Sequence, residues 1–146
     1  MDILRRNTDY GLRMMAALTD NFGDEPISAR QLAERGKFSY ELGCKILQKL
    51  HKAGLVESCM GSRGGFALAR KPSEISLMQI INALQGKIRL NRCLAGGDGC
   101  EFQKNCRIST KLSCLQLYIE GYLDGIKLSD MAETRKDLAA ETEALS

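Results

Sequence analysis

Three cysteines in one glycine-rich stretch are the residues whose type and spacing most clearly predict chemistry. Six residues separate Cys93 from Cys100, and five separate Cys100 from Cys106. The three glycines between the first two cysteines allow the tight turns that would direct several thiolates towards one point. Soft thiolates select iron–sulfur clusters, zinc or copper(I). Because the cysteines fall within fourteen residues without a CxxC pair, an iron–sulfur cluster fits better than a zinc finger.

The other candidate metal ligands lie apart from this stretch. His51 is the only histidine and falls at the end of a predicted helix, and Cys44 and Cys59 lie in the same half of the chain. Cys114 follows Cys106 by eight residues, which in a helix corresponds to about 12 Å along the axis and about 80° around it. One cluster cannot easily reach both sulfurs, so a fourth protein ligand would not be a cysteine.

Composition sets the class of protein. The chain has 146 residues, of which 44% are hydrophobic and 27% charged, enough for one small domain with an appended helix. It has no apolar run of the roughly 20 residues that a membrane helix needs and no signal-peptide core after Met1, so we expect a cytoplasmic protein without a membrane partner. In that reducing compartment, metal binding or thiol chemistry explains six cysteines better than disulfides do. With one histidine and no phosphate-binding loop, no arrangement typical of an enzyme is present.

Positive charge is concentrated before the cysteine stretch. Residues 1–92 carry 15 Lys and Arg against 9 Asp and Glu, a net +6, whereas residues 93–146 carry 6 against 9, a net −3. Contacts with a polyanion are therefore expected in the first part of the chain.

The apolar pattern of that basic part predicts a helix-turn-helix. Helices are expected over residues 8–21, from Ser28 to Gly36 with Gln31 completing a capping box, and from Ser39 to a glycine cap at Gly54. The third helix has one apolar and one polar face, as in helices that read the DNA major groove. The predicted DNA contacts from these helices are Ser28, Ser39, Tyr40, Glu41, Lys45, Gln48 and Lys49.

A β-hairpin is predicted next, from Leu55–Cys59 and Phe66–Ala69. Its tip consists of small residues and one arginine, and such a tip can enter a DNA minor groove as a wing. The predicted contacts from the wing are Ser62, Arg63, Gly64 and Gly65. Two alternatives stay open, because winged helices also serve as protein-binding scaffolds and lysines on a helix are most often simply solvated.

Two further helices complete the expected architecture, which is mainly α with a small β-hairpin. An amphipathic helix over residues 76–85 ends at Gly86. After the cysteines, apolar residues spaced by four and three form a heptad seam, which predicts pairing of two copies: Ile108, Leu112, Leu115, Ile119, Tyr122 and Ile126. We expect a winged helix-turn-helix domain over residues 1–86, a cluster-binding loop over 87–107, a dimerisation helix over 108–130 and a flexible tail over 131–146.

Four short motifs carry a resemblance to a known family. They are Thr8–Arg13 in the first helix, Lys49–Val56 leading into the hairpin, Ser62–Phe66 at its tip, and the three spaced cysteines. Together they resemble the IscR/NsrR/RirA-type family of winged-helix iron–sulfur transcriptional regulators, over about residues 1–125. The first-helix and cysteine-loop motifs are NsrR-like.

The resemblance implies a homodimer that crosses through the long helix, reads the half-sites of a double-stranded DNA operator and holds a cluster on Cys93, Cys100 and Cys106. IscR-like members complete a [2Fe-2S] site with a histidine three residues after the last cysteine, but that position is Ser109 here. NsrR-like members complete a [4Fe-4S] site with an aspartate from the first helix of the other subunit, which Asp9 matches. The resemblance therefore favours [4Fe-4S] over [2Fe-2S]. The alternative for Asp9 is an ordinary first-turn acid stabilised by the helix dipole.

The function implied is DNA-binding transcription regulation, by a repressor in the NsrR-like case, with operator affinity controlled by a cluster that senses nitric oxide, redox state or iron/cluster supply. The alternatives are an iron–sulfur electron-transfer protein and a zinc- or thiol-based winged-helix protein. The sequence leaves the operator, the signal and the sign of regulation open.

Overall fold

Helices dominate the fold in the computed structural model, which describes residues 3–95 and 105–132. The helices are α1 (Arg6–Asp20), α2 (Ala29–Gly36), α3 (Tyr40–Lys52), α4 (Leu77–Gln85) and α5 (Arg107–Gly125), and the antiparallel hairpin is formed by β1 (Val56–Cys59) and β2 (Gly65–Leu68). The predicted fold class, mainly α with a small hairpin, is confirmed. Most of the predicted tail and the centre of the cysteine loop lie outside the described residues. None of the described helices is long and apolar enough to cross a membrane.

Local sequence determines where the helices begin and end. The Ser28 hydroxyl accepts the Gln31 amide N–H at 3.2 Å while the Gln31 side chain accepts the Ser28 N–H at 3.1 Å, so the predicted capping box is confirmed. Ser76 and Gln79 form a second capping box at the start of α4. Gly54, with φ +72°, takes the left-handed conformation that follows the end of α3.

The prediction that α2 ends at Gly36 is confirmed, and packing around this glycine explains why the residue is needed there. Gly36 is the last helical residue, and Lys37, with φ 55°, is the left-handed one. A Cβ on Gly36 would collide with the ring of Phe38, which packs 5.3 Å from the ring of Tyr10. The glycine is therefore needed for close packing of an aromatic ring and not for its backbone angles.

One apolar core holds α1 to α4 and the hairpin together. The predicted inner face of α3 is buried throughout, at Gly43, Ile46, Leu47 and Leu50. Helix α5 lies against α4 outside this core, where Leu123 packs on a small cluster of Met78, Ile81 and Ile88. The buried Ser76 hydroxyl donates to Asp124 Oδ1 at 2.7 Å and fixes the C-terminal part of α5 to the start of α4. No residue of α5 is buried within the single chain.

A backbone bridge fixes the tip-side half of β2 to the segment before α2. Ile27 and Phe66 exchange two backbone hydrogen bonds of 3.0 and 2.8 Å. A Cβ built on Gly65 would lie 2.5 Å from the Ile27 carbonyl oxygen, and backbone atoms cannot give way as a flexible side chain can. Gly65 therefore shapes the hairpin.

Substitution of Gly65 by alanine is expected to lower the free energy of unfolding by about 1–3 kcal/mol, because the new Cβ forces the Ile27 bridge apart. The measurement is urea denaturation. Gly121→Ala is the matched control, because a Cβ at this helical position has no neighbour within 4 Å and alanine is the better helix former. Equal stability of wild type and Gly65→Ala would refute the assigned role of Gly65.

Candidate nucleic-acid interface and metal centre

The outer face of α3 is exposed along its length. Ser39 caps the helix by accepting the Leu42 N–H at 3.2 Å, which places the predicted contact residues on the first turns. Glu41 and Lys45 form an exposed ion pair of 3.0 Å along this face. All the predicted contact residues of α3 and its cap are exposed, namely Ser39, Tyr40, Glu41, Lys45, Gln48 and Lys49. This face therefore offers both hydrogen-bond donors and hydrogen-bond acceptors to the edge of a base.

Tyr40 is held in place by neighbours from two helices. The Arg30 guanidinium lies 5.5 Å from the centre of its ring, a cation–π contact. A side-chain hydrogen bond with Cys44 raises the pKa of the phenol above its usual value, and the nearby Arg30 charge opposes that shift. The phenol is therefore neutral and keeps its proton at physiological pH. Sequence reasoning missed Arg30, whose signal is its place two residues after the Ser28 cap, on the first turn of α2.

The wing presents one cation. Arg63 Nη1 lies 2.7 Å from Glu25 Oε1, and both side chains are mostly exposed. An ion pair of this kind contributes only about 0–1 kcal/mol, so the guanidinium is available to a competing anion. Ser62 beside it is exposed, whereas Gly64 and Gly65 are half-buried. Of the four predicted wing contacts, Ser62 and Arg63 therefore face outwards and the two glycines shape the turn.

Two further predicted DNA contacts, Ser28 and Lys49, also form hydrogen bonds within the chain. The Ser28 hydroxyl is used in the capping box of α2, whose remaining N-terminal amides point out of the helix. Lys49 Nζ donates to the carbonyl oxygen of Leu84 at 3.1 Å, on the side of α3 that faces α4. The structure thus directs the Lys49 ammonium group towards α4, while the residue itself is exposed and lies one helical turn beyond Lys45.

Two of the three predicted cluster ligands fall within the described residues. Cys93 lies in a 3-10 turn, Arg92–Ala95, and Cys106 is the N-cap of α5; both thiols are free and half-buried. Cys106 Sγ accepts the Ser109 N–H at 3.4 Å, the kind of N–H···S bond that tunes iron–sulfur clusters. Cys100 lies outside the described residues, and no group of three or more His, Cys, Asp or Glu able to hold a metal is found among the described ones.

Both ends of the cysteine segment are fixed to the helices. On the first side, the Leu90 N–H donates to the Gln116 side chain of α5 at 3.3 Å. On the other side, Cys106 begins α5 itself. A metal ion or cluster that prefers thiolate ligands would, if bound between these thiols, join the end of α4 to the start of α5. The two described thiols are ligands of the type that such a group requires.

Asp9, the predicted fourth ligand, lies in the first turn of α1 and is about half exposed. Its carboxylate pairs with Arg13 at 2.9 Å. An exposed carboxylate can be reached by a second subunit, so its position is compatible with the predicted role.

Two other residues considered as metal ligands, His51 and Cys114, are placed elsewhere. The His51 ring contacts the Val56 carbonyl oxygen through Nδ1 at 3.1 Å. Cys114 is exposed on α5, two turns beyond Cys106.

Known proteins are similar to this chain over most of their length. The family model described as "Iron-dependent Transcriptional regulator" (Rrf2) matches residues 4–134. The transcriptional regulator IscR of Aliivibrio salmonicida is 30% identical over 122 residues, covering 84% of this chain and 72% of its own. The regulator NsrR of Shouchella clausii is 28% identical over 135 residues, covering 91% and 90%. The structure of CymR, the global cysteine regulator of Bacillus subtilis, has a TM-score of 0.74 at 26% identity and covers 90% of this chain and 97% of its own.

The helix-turn-helix, the adjoining hairpin and the long C-terminal helix form a winged-helix fold, and the matching relatives are transcriptional regulators, which are not enzymes. The sequence and the fold match the same group of proteins. The chain belongs to the Rrf2 family of transcriptional regulators.

Proposed function

We propose that this regulator binds a two-fold DNA operator in the cytoplasm and that an iron–sulfur cluster on Cys93, Cys100 and Cys106 controls its affinity. The observation that carries the proposal is the place of the cysteine segment. It joins α4, which packs against α1 and α3, to α5, which packs on α4. A group bound there can influence the helix that reads DNA and the helix that we assign to the dimer.

The assigned DNA contacts come from the outer face of α3, the N-terminus of α2 and the wing. Tyr40, Glu41, Lys45 and Gln48 would reach base edges and phosphates in the major groove. Arg63 would exchange the Glu25 carboxylate for the minor groove, where the electrostatic potential is most negative. Arg30 adds a cation beside the first turn of α3.

An exposed apolar face on α5 supports the homodimer. Ile108, Leu115, Tyr118 and Tyr122 lie on one side of this helix and are 70%, 48%, 70% and 51% exposed. A contiguous exposed apolar surface of this kind marks a protein interface. Three of these residues, Ile108, Leu115 and Tyr122, belong to the heptad seam predicted from the sequence. A two-fold dimer through α5 would carry two copies of α3, the reading helix that we assign to the major groove, and a two-fold operator requires two such helices.

The donor set favours a [4Fe-4S] cluster with an oxygen ligand. Three thiolates of one subunit and Asp9 of the partner subunit would hold it, and a labile carboxylate ligand suits an iron that reacts with nitric oxide, oxygen or a small oxidant. The same carboxylate has a second partner available in Arg13 of its own helix, 2.9 Å away. Exchange of Asp9 between these partners would alter how α1 is held against the other subunit.

Control of affinity follows from preorganisation. A bond from the cysteine segment of one subunit to α1 of the other would fix the distance between the two reading helices. A dimer fixed in the spacing of the operator binds it more tightly than one that must be ordered on binding. A tenfold change in affinity needs only about 1.4 kcal/mol of difference between the two arrangements.

The test of this function is anaerobic purification followed by absorption spectra, native mass spectrometry and selection of binding sites from random double-stranded DNA. We expect a coloured protein with the mass of a dimer carrying clusters, and a selected site with two-fold symmetry. A colourless protein that contains zinc or no metal yet selects DNA would favour the zinc- or thiol-based alternative. A cluster-loaded protein that selects no DNA would favour an electron carrier.

Replacement of Asp9 by alanine is expected to weaken cluster retention about 10-fold, because one iron loses its protein ligand. The measurement is the rate at which cluster absorbance is lost under nitric oxide or air. Two variants serve as controls. Arg13→Gln removes the cation that pairs with Asp9 and leaves the Asp9 carboxylate. Asp20→Ala removes an exposed acid at the other end of α1. An Asp9→Ala spectrum and loss rate identical to wild type would remove Asp9 from the site.

A further inference from the structure

Hydrogen bonds from three parts of the chain converge on the last two residues of α4. The Leu84 carbonyl oxygen accepts Lys49 Nζ at 3.1 Å from α3. Gln85 Oε1 accepts the Arg5 N–H at 2.9 Å and the Thr8 hydroxyl at 2.7 Å, both at the start of α1. Gln85 Nε2 in turn donates to the Ile3 carbonyl oxygen at 2.9 Å. We call these bonds to Leu84 and Gln85 the α4 junction.

Elementary helix chemistry explains why a lysine binds at this position. The last four carbonyl groups of a helix lack intrahelical partners, and the C-terminal end of the helix dipole favours a cation. Lys49 supplies both a donor and a positive charge. The bond to Leu84 is partly buried, while Lys49 as a whole is exposed.

The α4 junction lies between the proposed cluster site and the surface proposed to read DNA. Helix α4 ends at Gly86, with φ +81°, and the chain then leads directly to the turn that contains Cys93. The fully buried Thr8 bonded to Gln85 is the neighbour of Asp9 in α1. Lys49 is one helical turn beyond Lys45 on α3.

We propose that Lys49 is a positioning residue that couples the cysteine segment to α3 through α4, and that it is not a phosphate contact. This inference rests on the proposed function and revises the DNA contact predicted for Lys49. Movement of the Cys93 turn or of the start of α1 displaces the end of α4, and the Leu84–Lys49 bond transmits that displacement to the reading helix. Gln85 couples the end of α4 to the start of α1 in the same way, through its bonds to Arg5 and Thr8.

The two roles of Lys49 differ in what they do to DNA binding. A phosphate contact adds to the affinity of both protein forms alike and contributes about one unit to the slope of log K against log salt. A coupling residue instead changes the ratio of the affinities of the cluster-loaded and cluster-free forms. Lys49→Met removes the ammonium and keeps the aliphatic stem.

The experiment measures operator affinity of the full-length protein, cluster-loaded and cluster-free, over a series of salt concentrations. We expect Lys49→Met to lower the loaded-to-free affinity ratio about threefold or more and to leave the salt slope unchanged. Gln85→Leu should lower the same ratio, which tests the junction by a second variant if the first folds poorly. Lys52→Met is the matched control, since the side chain of this exposed lysine of α3 has no hydrogen bond or ion pair in the described part of the chain and should leave the ratio unchanged.

A wild-type ratio in Lys49→Met, with or without a reduced salt slope, would overturn the inference. The failure of the proposed function looks different, because it would appear as a ratio of one in the wild-type protein itself.

Discussion

Cys106→Ser is expected to abolish cluster binding and to give the protein the operator affinity of cluster-free wild type, at least about tenfold weaker than the loaded form, equivalent to about 1.4 kcal/mol. Serine is a poor ligand for iron in a soft-donor set but a preferred helix N-cap. The variant therefore retains the cap of α5 that Cys106 provides through Ser109 and loses only the soft ligand. The measurements are iron content, cluster absorbance and operator binding.

Cys114→Ser is the matched control for this experiment. Cys114 is exposed on the same helix, two turns beyond Cys106, and should be replaceable without loss of iron or affinity. A Cys106→Ser protein that retains its cluster would show that the assigned ligand set is wrong. A Cys114→Ser protein that loses its cluster would make Cys114 the fourth ligand.

The second large effect is expected from Leu115→Asp, which places a charge on the exposed apolar face of α5. In a two-fold dimer the substitution occurs twice in one interface, and each buried carboxylate is costly without a partner. We expect a monomer at micromolar concentration and a loss of operator affinity of about 100-fold, because the two half-sites are no longer bound together. Sedimentation velocity and DNA titration provide the two readouts.

Leu117→Asp gives the comparison that separates this face from the rest of α5. Leu117 is the same residue type, is 68% exposed, and lies about 200° around the helix axis from Leu115. We expect it to leave the dimer intact. Dissociation of both variants, or of neither, would contradict the assignment of the dimer interface to the heptad seam.

Local features of this fold could be predicted from the sequence because they depend on residues close in the chain. The Ser28 capping box, the glycine after α3 and the four buried residues of α3 follow from spacing of three or four residues. The end of α2 at Gly36 was also predicted, but the reason for a glycine there was not, because that constraint comes from packing. The ring of Phe38 requires a glycine there, and no backbone signal distinguishes that need from a helix end.

The contacts that shape the candidate site join residues distant in sequence, which spacing alone does not relate. The Arg63–Glu25 pair spans 38 residues, and the Lys49–Leu84 bond spans 35. A lysine on the border between the polar and apolar faces of a helix looks like a phosphate contact until the neighbouring helix is placed beside it. The cysteines, in contrast, could be singled out because a soft-metal site depends on residue type and local spacing.

The central claim, that a cluster on the three cysteines controls DNA binding, is tested most directly by one anaerobic titration. Operator affinity is measured on a cluster-loaded wild-type sample and again on the same sample after the cluster is removed, with the selected two-fold site as the DNA. We expect the loaded dimer to bind at least about tenfold more tightly. Equal affinity before and after removal of the cluster would contradict it.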